Sequence, residues 1–311
     1  MTDGLLPHGH DVPFADIEVT LVRLVREGHG RKRAPARSST ATVIVVGDNP
    51  RLAAAAEALD QLGESSGVRA ILISEGERTA PTAQVTENAI AINGLAPRFL
   101  NNAVAALRLS SLPAVVWWRG GALDNLDDLA GLADRMILDA EDPMPVWSQA
   151  ARLFEQTALT DLRWTQLTRW RSAIAHLFDL PQVRNGAPTF SRLTIDAIDE
   201  HAGRLYAGWL RSCLRWTPSV AIEIETSRAK AEHNAPTLLR RVHLEGPDVS
   251  ITAQQKTEGC LTAAVDGLVS TTRGVPFGEG TLTALIGEEL GVRTRDIAFE
   301  RALTSALEIQ A

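Results

Sequence analysis

Lysine is nearly absent from this chain. Of its 31 basic residues only Lys32, Lys230 and Lys256 are lysines, so Schiff-base chemistry has few candidates. Cysteine is scarcer still. Cys213 and Cys260, the only two in 311 residues, are too few for a disulfide framework. The local patterns put Cys213 on a helix and Cys260 in a strand-like run, which predicts buried, unpaired thiols. No apolar run approaches the ~20 residues a bilayer span needs. The N-terminus, with Asp3, His8, His10 and Asp11, lacks the basic-then-apolar order of a secretion signal. These absences predict a cytoplasmic protein. A net charge of -7 repels a phosphate backbone, so neither nucleic acid nor a membrane is an expected partner. The compact basic run Gly30-Arg31-Lys32-Arg33 reads as a solvated linker.

The familiar catalytic signatures are missing too. No G-x-G-x-x-G follows a strand, and neither a P-loop, a G-x-S-x-G elbow nor H-E-x-x-H occurs. Nucleotide hydrolysis and zinc proteolysis lose their usual support, and no catalytic residue, cofactor or metal ligand is predicted. His8, His10 and Asp11 read as a mobile tail rather than a metal grip. His29, His176, His201, His233 and His243 stand alone, His201 as a helix-start residue. Glu223 and Glu225 alternate with Ile222 and Ile224, which predicts a solvated strand face; Glu288 and Glu289 read as a helix surface. Arg119-Gly120-Gly121, between a strand and a helix, has the layout of a phosphate cradle. However, Asp124, Asp127 and Asp128 on the first helical turns satisfy the dipole and repel phosphate, predicting instead a tight turn capped by acids.

What is present is an ordinary globular composition, 45% hydrophobic and 22% charged, at a length that favours two domains. Helical spacing over 17–27 after Asp16, then TATVIVVG (40–47), an Ala-rich helix (50–63) and VRAILIS (68–74), form alternating helix and strand units. A weaker alternating segment (84–92), a helix from Pro97 to about Leu109, the strand PAVVWW, a helix from Leu123 to Ala133 and RMILDA (135–140) continue the pattern. This predicts an α/β N-terminal domain, 1–155, with a mostly parallel sheet. Helical stretches at 146–156 and 162–180 then lead through a loop, 181–188. Beyond it RLTIDAID, the helix HAGRLYAGWLRSCLRW, the runs SVAIEIET, LLRRVHLEG, VSITAQQ and CLTAAVDG, a stretch near Val269 and a final helix from Thr294 to Leu307 follow. They predict an α+β C-terminal domain, 156–311, with a mostly antiparallel sheet.

Within PAVVWWRGG (113–121) two tryptophans sit side by side before Arg119, and neighbours on a strand face opposite ways. One indole suits the core. The other either lies at a protein interface, with Arg119, or packs beneath the Trp164 to Trp170 helix as an interdomain core, the preferred reading because tryptophans are more often buried.

The stretches LRLSSLPAVVWWRGG (107–121) and DLRWTQLTRWRSAIAHLFD (161–179) resemble the glucose-6-phosphate dehydrogenase assembly protein (OpcA) family. The family's Leu-Pro-x-x-x-Trp-Trp strand corresponds to Leu112, Pro113, Trp117 and Trp118, and its Trp-x-x-Leu-x-x-Trp-Arg helix to Trp164, Leu167, Trp170 and Arg171. The resemblance implies a non-enzymatic partner that binds glucose-6-phosphate dehydrogenase and promotes its active oligomer in the oxidative pentose phosphate pathway. It adds no cofactor and no catalytic residue. In photosynthetic members the activity is tied to thioredoxin control through cysteines, and Cys213 and Cys260 are the only thiols available, though no motif assigns them. The alternative from the residues alone is a phosphosugar- or nucleotide-binding α/β enzyme using the strand ends of the first domain. Self-association stays open.

Overall fold

The computed structural model of the chain describes residues 5–6, 8–30, 40–63, 67–76, 81–216, 219–226, 237–257, 260–267, 271–276 and 280–309. The basic run 31–33, Lys230, His233 and Val269 lie outside the described residues. The chain forms two compact units, Met1–Leu159 with Glu289–Arg295, and Thr160–Glu288 with Asp296–Ala311.

The first unit is α/β. Its strands are β1 (His10–Pro13), β2 (Ala41–Val46), β3 (Val68–Glu75), β4 (Thr82–Val85), β5 (Ala89–Leu95), β6 (Ala114–Trp118), β7 (Arg135–Leu138) and the first half of β8 (Ala158–Asp161). Between them run α1 (Ile17–Gly30), α2 (Asn49–Gln61), α3 (Leu100–Leu107), α4 (Asn125–Ala130) and α5 (Pro143–Ala150). The strand order is β1-β4-β5-β3-β2-β6-β7-β8. The five strands from β5 to β7 pair in parallel, and β1, β4 and β5 pair antiparallel at one edge. Every residue of β2, β6 and β7 is buried, as expected of parallel strands covered on both faces. The covering helices carry apolar residues at three- and four-residue spacing, such as Leu52, Ala55 and Leu59 on α2 and Leu100, Ala103, Val104 and Leu107 on α3. Asp48 starts α2 by accepting from the Arg51 N–H at 2.9 Å.

The second unit is α+β. It contains α6 (Leu162–Gln166), α7 (Thr168–Leu177), α8 (Pro181–Gly186), β9 (Arg192–Ala197), α9 (Glu200–Leu214) and β10 (Ala221–Thr226). Then come β11 (Leu239–Glu245), β12 (Val249–Thr257), β13 (Cys260–Gly267), β14 (Thr271–Pro276), most of α10 (Leu282–Gly291) and α11 (Ile297–Leu307). The sheet order is β10-β9-β11-β12-β13-β14, antiparallel except for β9 with β10. Along β9 Leu193, Ile195 and Ala197 are buried while Thr194 and Asp196 are part-exposed, the alternation of a sheet covered on one face. Helices α7 and α9 pack on it.

Several expectations are corrected. The alternating segment 84–92 holds the end of β4, a turn at 86–88 and the start of β5, because Thr86 closes a local turn: its hydroxyl accepts from the Ala89 N–H at 3.0 Å. The stretch 162–180 breaks into two helices at Leu167. The predicted loop 181–188 instead begins with α8, since Pro181 occupies a helix-start position where its missing N–H costs nothing. The helix expected over 146–156 begins earlier and stops at Ala150. The residues after His8 do not trail free: His10–Pro13 pair with β4, and Asp11 accepts from Gln84 Nε2 at 3.1 Å. Glu288 and Glu289 do lie on a helix, α10, but Glu289 is no surface residue. It is buried and paired with Arg135 of β7, whose Nη1 also donates to the Thr294 carbonyl at 3.2 Å. The segment Glu289–Arg295 thus belongs to the first unit.

Helices α9 and α11 meet at Gly208, where an added Cβ would run into the Ala302 carbonyl oxygen and sit 2.7 Å from the Ala306 nitrogen. Backbone cannot retreat as a flexible side chain could. Gly208→Ala should lower stability by about 1–3 kcal/mol, the usual cost of overpacking, read as a reduced urea midpoint with an unchanged slope.

Candidate functional site

The natural ligand position of an open parallel sheet is the crevice at the carboxyl ends of its strands, where strand order reverses. In the first unit that point lies between β2 and β6, with Gly47 and Asp48 after β2, Glu75 ending β3, Arg119 to Gly121 after β6, and Asp139 to Glu141 after β7. These residues occupy one another. Arg51 donates to the Arg119 carbonyl through Nη1 and to Glu141 through Nη2 at 2.5 Å. Arg119 returns a hydrogen bond from Nη1 to the Arg51 carbonyl at 2.6 Å, pairs through Nε with Asp139 at 2.7 Å, and lies 4.9 Å from the Trp117 ring centroid. Both guanidiniums of the crevice are therefore matched by the protein's own carboxylates.

The glycine turn is filled in the same way. Gly120 and Gly121 have φ of 149° and 141°, conformations that side chains rarely adopt. A Cβ on Gly121 would meet the Glu75 carboxylate and the Trp118 ring, each at 3.0 Å. Glu75 accepts from the Ala122 N–H at 2.8 Å and from Asn125 Nδ2 at 2.7 Å. The N–H that a phosphate would use is thus already bonded to a carboxylate. An acid does cap this turn, but it arrives from β3. Asp124, at the cap position, makes no side-chain capping bond, and Asp127 instead accepts from Gln149 at 3.1 Å.

The second Trp motif is held inside the second unit. The Trp164 indole N–H donates to Asp296 Oδ2 at 2.7 Å, its ring lies 5.8 Å from Phe299, and the Arg171 guanidinium stacks 3.4 Å from the ring centroid. Arg171 also donates to the Trp164 carbonyl and to Thr168 Oγ1, both at 3.1 Å. Trp170 donates to Thr237 Oγ1 at 2.8 Å, and its carbonyl accepts from the Tyr206 hydroxyl at 3.1 Å. Arg163 joins two helix-capping carboxylates, with Nε at 2.9 Å from Asp199 and Nη1 at 3.6 Å from Asp161. Burial pushes the Tyr206 phenol well above its ordinary pKa of 10.0, with Arg171 opposing in part.

The structure therefore gathers Trp117, Trp118 and Arg119 in one unit, and Trp164, Trp170 and Arg171 in the other. No indole of the four reaches solvent: Trp117, Trp118 and Trp170 are 0% exposed and Trp164 2%. The Trp117 N–H has no hydrogen-bond partner among the described residues. Cys213 is exposed near the end of α9 and Cys260 is part-buried, so the expectation of two buried thiols fails for Cys213 because it falls on the outer side of its helix. Both are unpaired. Among the described residues no three His, Cys, Asp or Glu side chains gather as metal ligands. Glu223 sits on an exposed strand face, paired with Arg192 at 2.7 Å. Sequence reasoning missed Arg51, Glu75, Asp139, Glu141, Thr237 and Asp296, whose partners lie far away along the chain. Asp48, three residues before Arg51, and Asp296, three before Phe299, left a local trace, each as a helix start.

Comparison with known proteins bears on the second unit most directly. Residues 157–303 match the family model that describes the C-terminal domain of a glucose-6-phosphate dehydrogenase subunit, of the OpcA type. The chain is 32% identical over 124 residues to the OxPP cycle protein OpcA of Synechococcus elongatus, a match spanning 37% of this chain and 28% of that relative. Among solved structures, the transcriptional regulator Gal80p of Kluyveromyces lactis is similar at 8% identity and a TM-score of 0.48, with 92% of each chain covered. An oxidoreductase of Sinorhizobium meliloti is similar at 9% identity and 0.47, with 86% of each covered. A levoglucosan dehydrogenase bound to NADH gives 11% and 0.46, over 86% of this chain and 94% of that one.

The buried phenol yields a signed expectation. The folded state holds the Tyr206 proton more tightly than the unfolded chain, so its contribution is complete below pH 10 and is lost as pH rises beyond it. Tyr206→Phe should cost about 1 kcal/mol at neutral pH, for the lost bond to Trp170. Urea unfolding at neutral and strongly alkaline pH should show that deficit shrinking as pH rises.

Proposed function

We propose that this chain, which belongs to the OpcA family, is a non-enzymatic partner of glucose-6-phosphate dehydrogenase that binds the enzyme and promotes its active oligomer. Its setting would be the cytoplasm, at the entrance to the oxidative pentose phosphate pathway. The observation that carries the proposal is the match of residues 157–303 to a domain described from a glucose-6-phosphate dehydrogenase subunit. An activator of this kind works only by binding one state of its target better than another. It needs surface and shape, and no reacting groups of its own.

The crevice of the first unit supports the same reading. Its arginines are matched to Asp139 and Glu141, and its turn N–H is matched to Glu75, so a nucleotide or phosphosugar would have to displace the protein's own carboxylates. In this view Trp117, Trp118, Arg119, Trp164, Trp170 and Arg171 act as props. Buried themselves, they fix the elements whose outer sides meet the enzyme. Among the described residues no helix is long and apolar enough to cross a membrane.

Mixing the purified chain with the dehydrogenase of the same cell should raise the mass of the enzyme's assembly in light scattering. It should also raise the initial rate across substrate concentrations. An unchanged mass together with an unchanged rate would discard the proposal. Turnover of a phosphosugar by the chain alone would establish the enzymatic alternative instead.

A further inference from the structure

A pocket of about 300 Å³ opens in the second unit where α8 and the turn after it lie over the β11–β12 hairpin. It sits at the lower end of the size range of small-molecule sites, enough for one ring-sized ligand. Its floor is apolar, made of Val249 and Val265, both buried in the sheet. Its rim is polar, with Gln182 and Asn185 on α8, Thr189 after it, and Asp248 on the hairpin turn.

The shape has a local cause. A Cβ on Gly186 would lie 2.6 Å from Val249 Cγ1, so only glycine lets the end of α8 come down this close to the sheet. Val183 is fully buried and anchors the helix from below. Thr189 donates to the Gly186 carbonyl at 2.7 Å, which fixes the rim. The carboxamides of Gln182 and Asn185 and the carboxylate of Asp248 make no hydrogen bond or ion pair with any described residue. In the crevice of the first unit the arginines and carboxylates have protein partners, and here the polar groups are left open.

The chemistry of the lining selects a ligand class. Each carboxamide both donates and accepts, and Asp248 accepts only, so together they suit neighbouring hydroxyl groups. The exposed edge of Val249 suits the C–H face of a saturated ring. Asp248 is the only charge in the lining among the described residues, which disfavours phosphate and other anions. One carboxylate without companions does not make a metal site. We propose that this pocket binds an uncharged cyclic polyol, a sugar or cyclitol ring carrying no phosphate.

The inference stands apart from the proposed partner and is tested without it. Nitrogen-labelled full-length chain would be titrated to tens of millimolar with D-glucose, myo-inositol and glucose 6-phosphate, following the side-chain amide signals of Gln182 and Asn185 by NMR. At least one of the two neutral rings should shift those signals saturably, with glucose 6-phosphate binding more weakly. In Asp248→Leu the affinity should fall about tenfold or more, the effect of losing a hydrogen bond to a charged group. Asn185→Leu should act likewise. Both positions are exposed, so the remaining spectrum should stay unchanged, and either variant suffices if the other fails to fold. No saturable shift with either neutral ring, tighter binding of glucose 6-phosphate, or full binding retained by the folded variants would each overturn the proposal.

Discussion

The two oxygens of Asp296 perform different tasks, and the second unit depends on both. Oδ1 caps α11 by accepting from the Phe299 N–H at 3.0 Å, while Oδ2 receives the Trp164 indole proton at 2.7 Å. One short side chain thus starts the last helix of the unit and orients the large ring at its entrance. With Phe299 and Arg171 closing on that ring, its indole donor is satisfied, as a buried polar group requires. Trp170, Thr237 and Tyr206 extend the same logic towards the sheet: ring N–H to hydroxyl, hydroxyl to carbonyl. Trp117, Trp118, Trp164 and Trp170 are all buried, each pair within its own unit.

The alternation of helices and strands could be read from the sequence because burial dictates period. β2 is covered on both faces and is apolar throughout, whereas β9 is covered on one face and alternates. Both sheets and their broad pairing classes follow from that difference. What stayed hidden depends on contacts between distant residues. Nothing near Glu289 indicates that Arg135 lies beside it, and nothing near Glu75 shows that it will close a turn after β6. Pro181 and Gly186 looked like loop residues, yet one opens a helix and the other permits its close approach to a strand. The paired Trp motifs were legible as a family likeness, but the packing that buries them was not.

The two units illustrate two ways of using polar groups. Where the first unit's parallel strands end, opposing charges neutralise each other at short range, and the glycine turn wraps a carboxylate instead of an anion from solution. The ligand position of an open parallel sheet is here filled with the protein's own side chains. In the second unit the polar groups around Gly186 are left unmatched above an apolar floor, the usual arrangement of a site kept open.

The segment Glu289–Arg295 has an architectural consequence. It is contributed by residues late in the chain yet belongs with the first unit, fastened there by Arg135 and by the pairing of Arg295 with Glu155 at 3.2 Å. The polypeptide consequently passes from one unit to the other three times. No single cut yields two self-sufficient halves: a fragment ending at Leu159 would keep Arg135 as an unmatched interior cation, and one starting at Thr160 would carry its counter-ion into solvent. A chain cut there would leave the first unit's core incomplete.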